Sequence, residues 1–124
     1  MHEIAIASSL FEIIHQQVEK HDIEKISEVH LKVGELAGVE AMTLTACFEV
    51  LAEGTVADGA RLIIEHIPLA GKCSDCAAGF RIIRYEFRCP CCHGDNVETV
   101  QGKELYIEKL EAVFKGDRNE ETAT

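Results

Sequence analysis

From Ile4 to Val18 the apolar residues Ile4, Ala7, Leu10, Phe11, Ile14 and Val18 recur at three- and four-residue steps. That spacing is the period of one helix face, so the chain opens on an amphipathic helix. Glu3 stands at its start, where a carboxylate meets the positive end of the helix dipole, and the helix should end near His21-Asp22. The period then shortens. Val29, Leu31 and Val33 alternate with Glu28, His30 and Lys32, a half-buried strand closed by Gly34. A loop through Gly38 leads to a second helix, Ala41 to Glu53, ended by Gly54, with Leu44, Cys47, Phe48 and Leu51 on its inner face. Arg61 to Ile67 reads as a strand stopped by Pro68, and Glu104 to Val113 as a third. Residues 115–124 lack an apolar anchor after Phe114 and are expected to form a disordered tail.

Between the second and third strands the pattern is broken by cysteines. Cys73-Ser74-Asp75-Cys76 and Cys89-Pro90-Cys91-Cys92 are separated by residues 77–88. Two C-x-x-C knuckles at this separation supply four thiolates able to converge tetrahedrally on one ion, the pattern of a structural zinc site. Spacing fixes ligands and not the metal, so a single iron would fit equally well. Two disulfides would need an oxidising compartment, and no leader directs the chain to one. Cys91 is a spare thiol if Cys92 is the fourth ligand, and could replace it. Cys47, at helical spacing with its apolar neighbours, reads as a small core residue.

The order helix, strand, helix, strand, metal insert, strand predicts an α/β fold. Two helices pack on one face of a three-stranded sheet, and a zinc-ribbon-like lobe is inserted between two strands. The predicted division is 1–68 with 102–114 for the α/β domain, 69–101 for the lobe and 115–124 for the tail. The 73–93 stretch has little apolar material of its own, so metal ligation should fold it.

Composition narrows the function. The 124 residues carry a formal charge of −10. The cations near the knuckles (Lys72, Arg81, Arg84, Arg88) are offset by Asp75, Glu86 and Asp95, a poor track for phosphates, so no nucleic acid is expected as a partner. No apolar run is long enough to span a bilayer, so no membrane is expected and the chain reads as cytoplasmic. No glycine-rich phosphate loop and no pairing of nucleophile with base is present, so the protein reads as a carrier of metal and not as an enzyme.

The other candidate chemistry lies at Met1-His2-Glu3. A histidine in second position offers its imidazole Nδ1, its backbone nitrogen and the α-amino group of Met1, three corners of a square plane. That geometry selects Ni(II) or Cu(II), where zinc prefers a tetrahedron. Glu3 is both a helix starter and a charge beside the cation. Of the other histidines, His30 is expected in solvent, His15 and His21 lack partners at ligand spacing, and His66 has a packing role. His93, directly after the second knuckle, is either a candidate to tune the thiolates or an exposed turn residue.

Met1-His2-Glu3, Lys32-Val33-Gly34-Glu35-Leu36, and Cys73-x-x-Cys76 followed by Cys89-Pro90-x-Cys92-His93-Gly94 together resemble the HypA/HybF family of nickel metallochaperones. The likeness runs through nearly the whole chain except its tail. It implies Ni(2+) bound by His2, Glu3 and the Met1 amine, and Zn(2+) bound by Cys73, Cys76, Cys89 and Cys92. It further implies delivery of nickel for maturation of [NiFe]-hydrogenase, with the nickel-binding GTPase HypB and the hydrogenase large subunit as partners. Some members of the family also serve urease maturation. Cys91 departs from the family pattern and leaves the identity of the fourth thiolate open. Two other classes compete: a zinc-ribbon adaptor without nickel, and a rubredoxin-like one-iron electron carrier, which colour alone would reveal.

Overall fold

Helical periodicity at the start of the chain is realised as α1, Glu3–His21, which buries Ile6, Ala7, Leu10, Phe11 and Ile14. The computed structural model describes residues 2–116 and 120–123. Ile4, counted on the apolar face from the sequence, is half-exposed. Asp22 stops α1 in the left-handed conformation (φ 51°), its N–H donating to the Val18 carbonyl.

Strand β1, Ile23–Gly34, begins well before the predicted start. Ile23 and Ile26 are both fully buried but lie three residues apart, a spacing that conceals strand from a period-two reading. Ile26 there donates its N–H to the Val56 carbonyl at 2.9 Å. Helix α2 spans Ala41–Ala52, capped by the Glu40 carboxylate, which accepts from the N–H groups of Met42 and Thr43. That satisfies two of the donors that a helix start leaves unpaired.

The predicted strands Arg61–Ile67 and Glu104–Val113 appear as β2, Arg61–Ile67, and β6, Leu105–Phe114. The main sheet runs β2-β1-β6-β7, where β7 is Glu120–Ala123. This fourth strand corrects the expectation of a disordered tail: it pairs antiparallel with β6, Leu110 opposite Ala123 and Val113 opposite Glu120. Strand pairing uses main-chain groups, so a polar segment can cover a sheet edge without apolar anchors. Residues 117–119 and 124, also in that tail, lie outside the described residues.

The chain divides into two units, Met1–Lys32 with Val39–Glu65 and Tyr106–Thr124, and Val33–Gly38 with His66–Leu105. In the first, α1 and α2 pack on the sheet through Phe11, Ile14, Ile23, Ile26, Val29, Phe48 and Leu110. The Phe11 and Phe48 rings meet at 5.0 Å between centroids. Phe48 is wholly buried, and such burial stabilises by roughly 1.5–3 kcal/mol.

In the second unit, three short strands form their own antiparallel sheet in the order β4-β3-β5. They are β3 (Ala70–Cys73), β4 (Gly79–Arg81) and β5 (Val97–Gln101). None was predicted, being too short to show a period. Val33–Gly38, placed with the α/β domain from the sequence, falls here. The reason is visible at Gly34-Glu35-Leu36: Leu36 N–H donates to the Gly102 carbonyl at 2.8 Å and the Glu35 carboxylate accepts from Leu69 N–H at 2.9 Å. Gly34 lies so close to Gly102 that any Cβ would collide with its backbone.

Candidate metal centres

The two knuckles fold by one backbone recipe. In the first, Ala77 N–H donates to the Cys73 carbonyl and Cys73 N–H to the Ala78 carbonyl, each at 2.9 Å. In the second, His93 N–H donates to the Cys89 carbonyl and Cys89 N–H to the Gly94 carbonyl, again at 2.9 Å. Both turns need a left-handed residue, and it is Ala77 (φ 65°) in one and His93 (φ 63°) in the other. His93, read from the sequence as either a tuner of the thiolates or an exposed turn residue, is exposed and holds the turn-forming position.

This geometry brings the Sγ atoms of Cys73, Cys76, Cys89 and Cys92 within 4.8 Å of one another. Cys73 and Cys92 are 3.6 Å apart, and Cys76 and Cys89 3.5 Å. Sulfurs each about 2.3 Å from one zinc ion stand about 3.8 Å apart in a tetrahedron. The cluster fits such an ion with small inward or outward adjustment. Cys92, not Cys91, belongs to the group; Cys91 is exposed and contributes its backbone N–H to Cys89 Sγ at 3.4 Å.

Backbone donors prepare the sulfurs for negative charge. Cys92 N–H and Cys91 N–H both point at Cys89 Sγ, and with Cys92 N–H as the leading influence the Cys89 thiol is lowered to about 7. Cys76 receives the Ala78 N–H, its largest single influence and a lowering one, yet the neighbouring Cys89 sulfur and loss of water outweigh it and push this thiol up to about 12. A cation that binds the cluster takes the place of the thiol protons, so its affinity should depend on pH.

At the other candidate site, His2 is exposed and its backbone is extended (φ −83°, ψ 124°) as the cap of α1. Its carbonyl accepts from Ala5 and Ile6 N–H at 3.1 and 3.2 Å. Its own N–H precedes the helix ladder, where no intrahelical acceptor exists. Glu3 has a task the sequence did not reveal: its carboxylate accepts the Glu40 N–H at 3.0 Å. That bond leads the causes that lower the Glu3 pKa below the usual 4.5. Glu40, missed from the sequence, thereby joins the start of α1 to the start of α2. Met1 lies outside the described residues, and Cys47 is half-buried in place of being a core residue.

Residues 1–112 match the family model described as hydrogenase/urease nickel incorporation, metallochaperone, hypA. The chain belongs to the HypA/HybF family. It is similar to hydrogenase maturation factor HybF of Salmonella typhimurium, 35% identical over 111 residues covering 90% of this chain and 98% of that one. It is also similar to hydrogenase maturation factor HypA of Desulfitobacterium hafniense, 37% identical with 90% and 97% covered. Among solved structures, the nickel metallochaperone HypA from Helicobacter pylori shares the fold with a TM-score of 0.65 and 27% identity, over 92% of this chain and 99% of that one. The family is one of nickel-incorporating metallochaperones for hydrogenase maturation, and the four-cysteine cluster of this member is compatible with zinc.

Proposed function

We propose that this HypA/HybF-family protein carries Ni(II) at its N-terminus and hands it over for maturation of [NiFe]-hydrogenase, while the four cysteines hold a structural zinc. The observation that carries the reading is His2, exposed at the mouth of α1 with its N–H outside the helix ladder. Nickel would be bound by His2 through Nδ1 and its backbone nitrogen and by the amine of Met1 as chain terminus. Glu3 supplies negative charge beside the cation, held in place by Glu40.

A site at a chain end can lose one donor at a time, which lowers the barrier to transfer. Protons compete for imidazole, amine and backbone nitrogen, so affinity falls as pH falls. When bound, zinc cross-links the two knuckles and fixes the fold of the lobe. The chain's role is binding and transfer, with no bond of a substrate made or broken. The setting is the cytoplasm, and the partners are the GTPase HypB, the hydrogenase large subunit and, as the family description includes urease, urease maturation proteins. An exposed surface suits such contacts: Ile83 (62% exposed), Tyr85 and Phe87 stand beside Arg84 and Arg88, a composition enriched where proteins meet.

The test is Ni(II) titration and metal analysis of untagged protein beside His2→Ala. The reading expects zinc in both and nickel bound at the terminus only with His2 present. Nickel that still broadens the amides beside the start of α1, Ala5 and Ile6 among them, in both His2→Ala and a protein with an added N-terminal residue would overturn the terminal chelate. Zinc alone in both proteins would leave an adaptor, and a coloured redox-active iron would leave an electron carrier.

A further inference from the structure

On the main sheet three metal-ligating side chains that belong to neither centre already described converge: Glu28 and His30 of β1 and Glu111 of β6. We propose that they form a second, exchangeable site for a first-row divalent cation, one imidazole and two carboxylates with the remaining positions left to water. The inference does not rest on the nickel reading of the N-terminus.

Both carboxylates face the same nitrogen. His30 Nε2 lies 3.0 Å from Glu28 Oε1 and 3.8 Å from Glu111 Oε1. An ion bonded at about 2.1 Å has neighbouring donors about 3.0 Å apart in an octahedron and about 3.4 Å apart in a tetrahedron. Glu28 therefore already stands at ligand separation, and Glu111 reaches it by a sub-ångström turn of a flexible side chain. His30, expected in solvent from its place in the sequence, is in fact only 20% exposed.

Neighbouring groups orient the donors. Arg61 of β2 engages Glu28 through its other oxygen, Oε2, at 3.3 Å, which leaves Oε1 directed at His30. Ser27 Oγ donates to the Glu111 carbonyl at 3.1 Å, tying β6 to β1 at the site. Lys109, 4.0 Å from Glu111 Oε1, is too far for a hydrogen bond and can swing aside. Three adjacent strands thus supply the ligands and their support, and partners of this kind fix ligand orientation. Imidazole with carboxylate suits nickel or zinc, and only three protein donors make the ion easy to release.

The experiment uses the full zinc-loaded chain carrying His2→Ala, so that terminal chelation plays no part. Ni(II) and, separately, Zn(II) are titrated by calorimetry, with amide spectra recorded during the nickel titration. One further ion should bind, and paramagnetic broadening should centre on Val29, Leu31 and Ala112. His30→Ala should abolish that binding, and Glu111→Gln, which keeps size and hydrogen bonding, should weaken it by about tenfold or more, both with unchanged thermal melting. Equal binding in His30→Ala, broadening centred elsewhere, or no further ion in the His2→Ala parent would overturn the proposal.

Discussion

The two units are held together by different means. In the α/β unit, Phe11, Ile14, Ile23, Ile26, Val29, Phe48 and Leu110 interlock in one apolar cluster. In the lobe the buried apolar residues are Val33, Leu69, Ile82 and the thiols Cys73 and Cys89. Two of its best-buried side chains are thus thiols of the four-cysteine cluster, and its other structure is short strands and turns. Apolar burial stabilises a unit in proportion to area, and an area this small does not match the entropy of ordering the lobe's backbone. One unit can fold on side-chain contacts alone; the other needs a cross-link at its centre. The distinction suits the proposed work, a permanently held ion in the lobe and a loosely held one at an exposed helix start.

The sharpest way to break this comparison is metal removal. A strong chelator should unfold the lobe, since zinc ligation in small domains contributes about 10–16 kcal/mol to folding. Amide spectra should lose dispersion for residues 70–101 while those of α1, α2 and β1 keep theirs. Cys92→Ser should have the same effect and Cys91→Ser should not. Loss of dispersion throughout would show that the α/β unit depends on the lobe. Retention in the lobe would show that its small core suffices.

The converse test is Phe48→Ala. This ring is fully buried between α1 and the sheet, and its loss should cost about 3–5 kcal/mol by removal of contacts and creation of a cavity. Urea unfolding should show the loss in the helical signal, while zinc content stays unchanged. A loss of zinc on this substitution would join the two stabilities that the comparison separates.

How far each region was legible follows from the same contrast. α1 and α2 were readable because a packed helix face repeats along the chain, and β2 because Pro68 marks its end. The four thiols were readable because two C-x-x-C frames set their spacing. The start of β1 was hidden by the irregular step from Ile23 to Ile26. Strands β3, β4 and β5 were hidden because the knuckles and their hydrogen bonds, not a hydrophobic alternation, place them. β7 was hidden because its pairing uses main-chain groups. Glu40 and His30 were missed for a common reason: their contacts, with Glu3 and with Glu111, join residues distant in sequence.

A smaller effect sharpens the account of the knuckles. Ala77 holds a left-handed φ of 65°, a conformation that costs an L-residue roughly 1–2 kcal/mol and glycine almost nothing. Ala77→Gly should stabilise the lobe by about 1 kcal/mol after the greater chain entropy of glycine is counted. Slower zinc release to a competing chelator would report it. Gly94→Ala should act the other way, because its Cβ would press on the Asp75 carboxylate at 3.2 Å and Cys92 Sγ at 3.4 Å. An opposite pair of signs would mean that the turn geometry does not limit the site.

The smallest effect concerns the exposed helix start. The Glu40 N–H holds the Glu3 carboxyl below its usual 4.5, so the bond favours the folded state wherever Glu3 is ionised. That contribution is fully present above the unfolded pKa and is lost as pH falls through the lower folded value. Glu3→Gln keeps a neutral acceptor but removes the charge. At neutral pH the Glu40 amide should therefore exchange faster in Glu3→Gln than in the parent, and the difference should close as the parent's carboxyl is protonated. Zinc content should be the same in both proteins throughout the neutral range, because no lobe thiol depends on Glu3. A Glu40 amide indifferent to both pH and the substitution would show that the joint between the two helix starts is held by backbone alone, and Glu3 would then be free to face the cation.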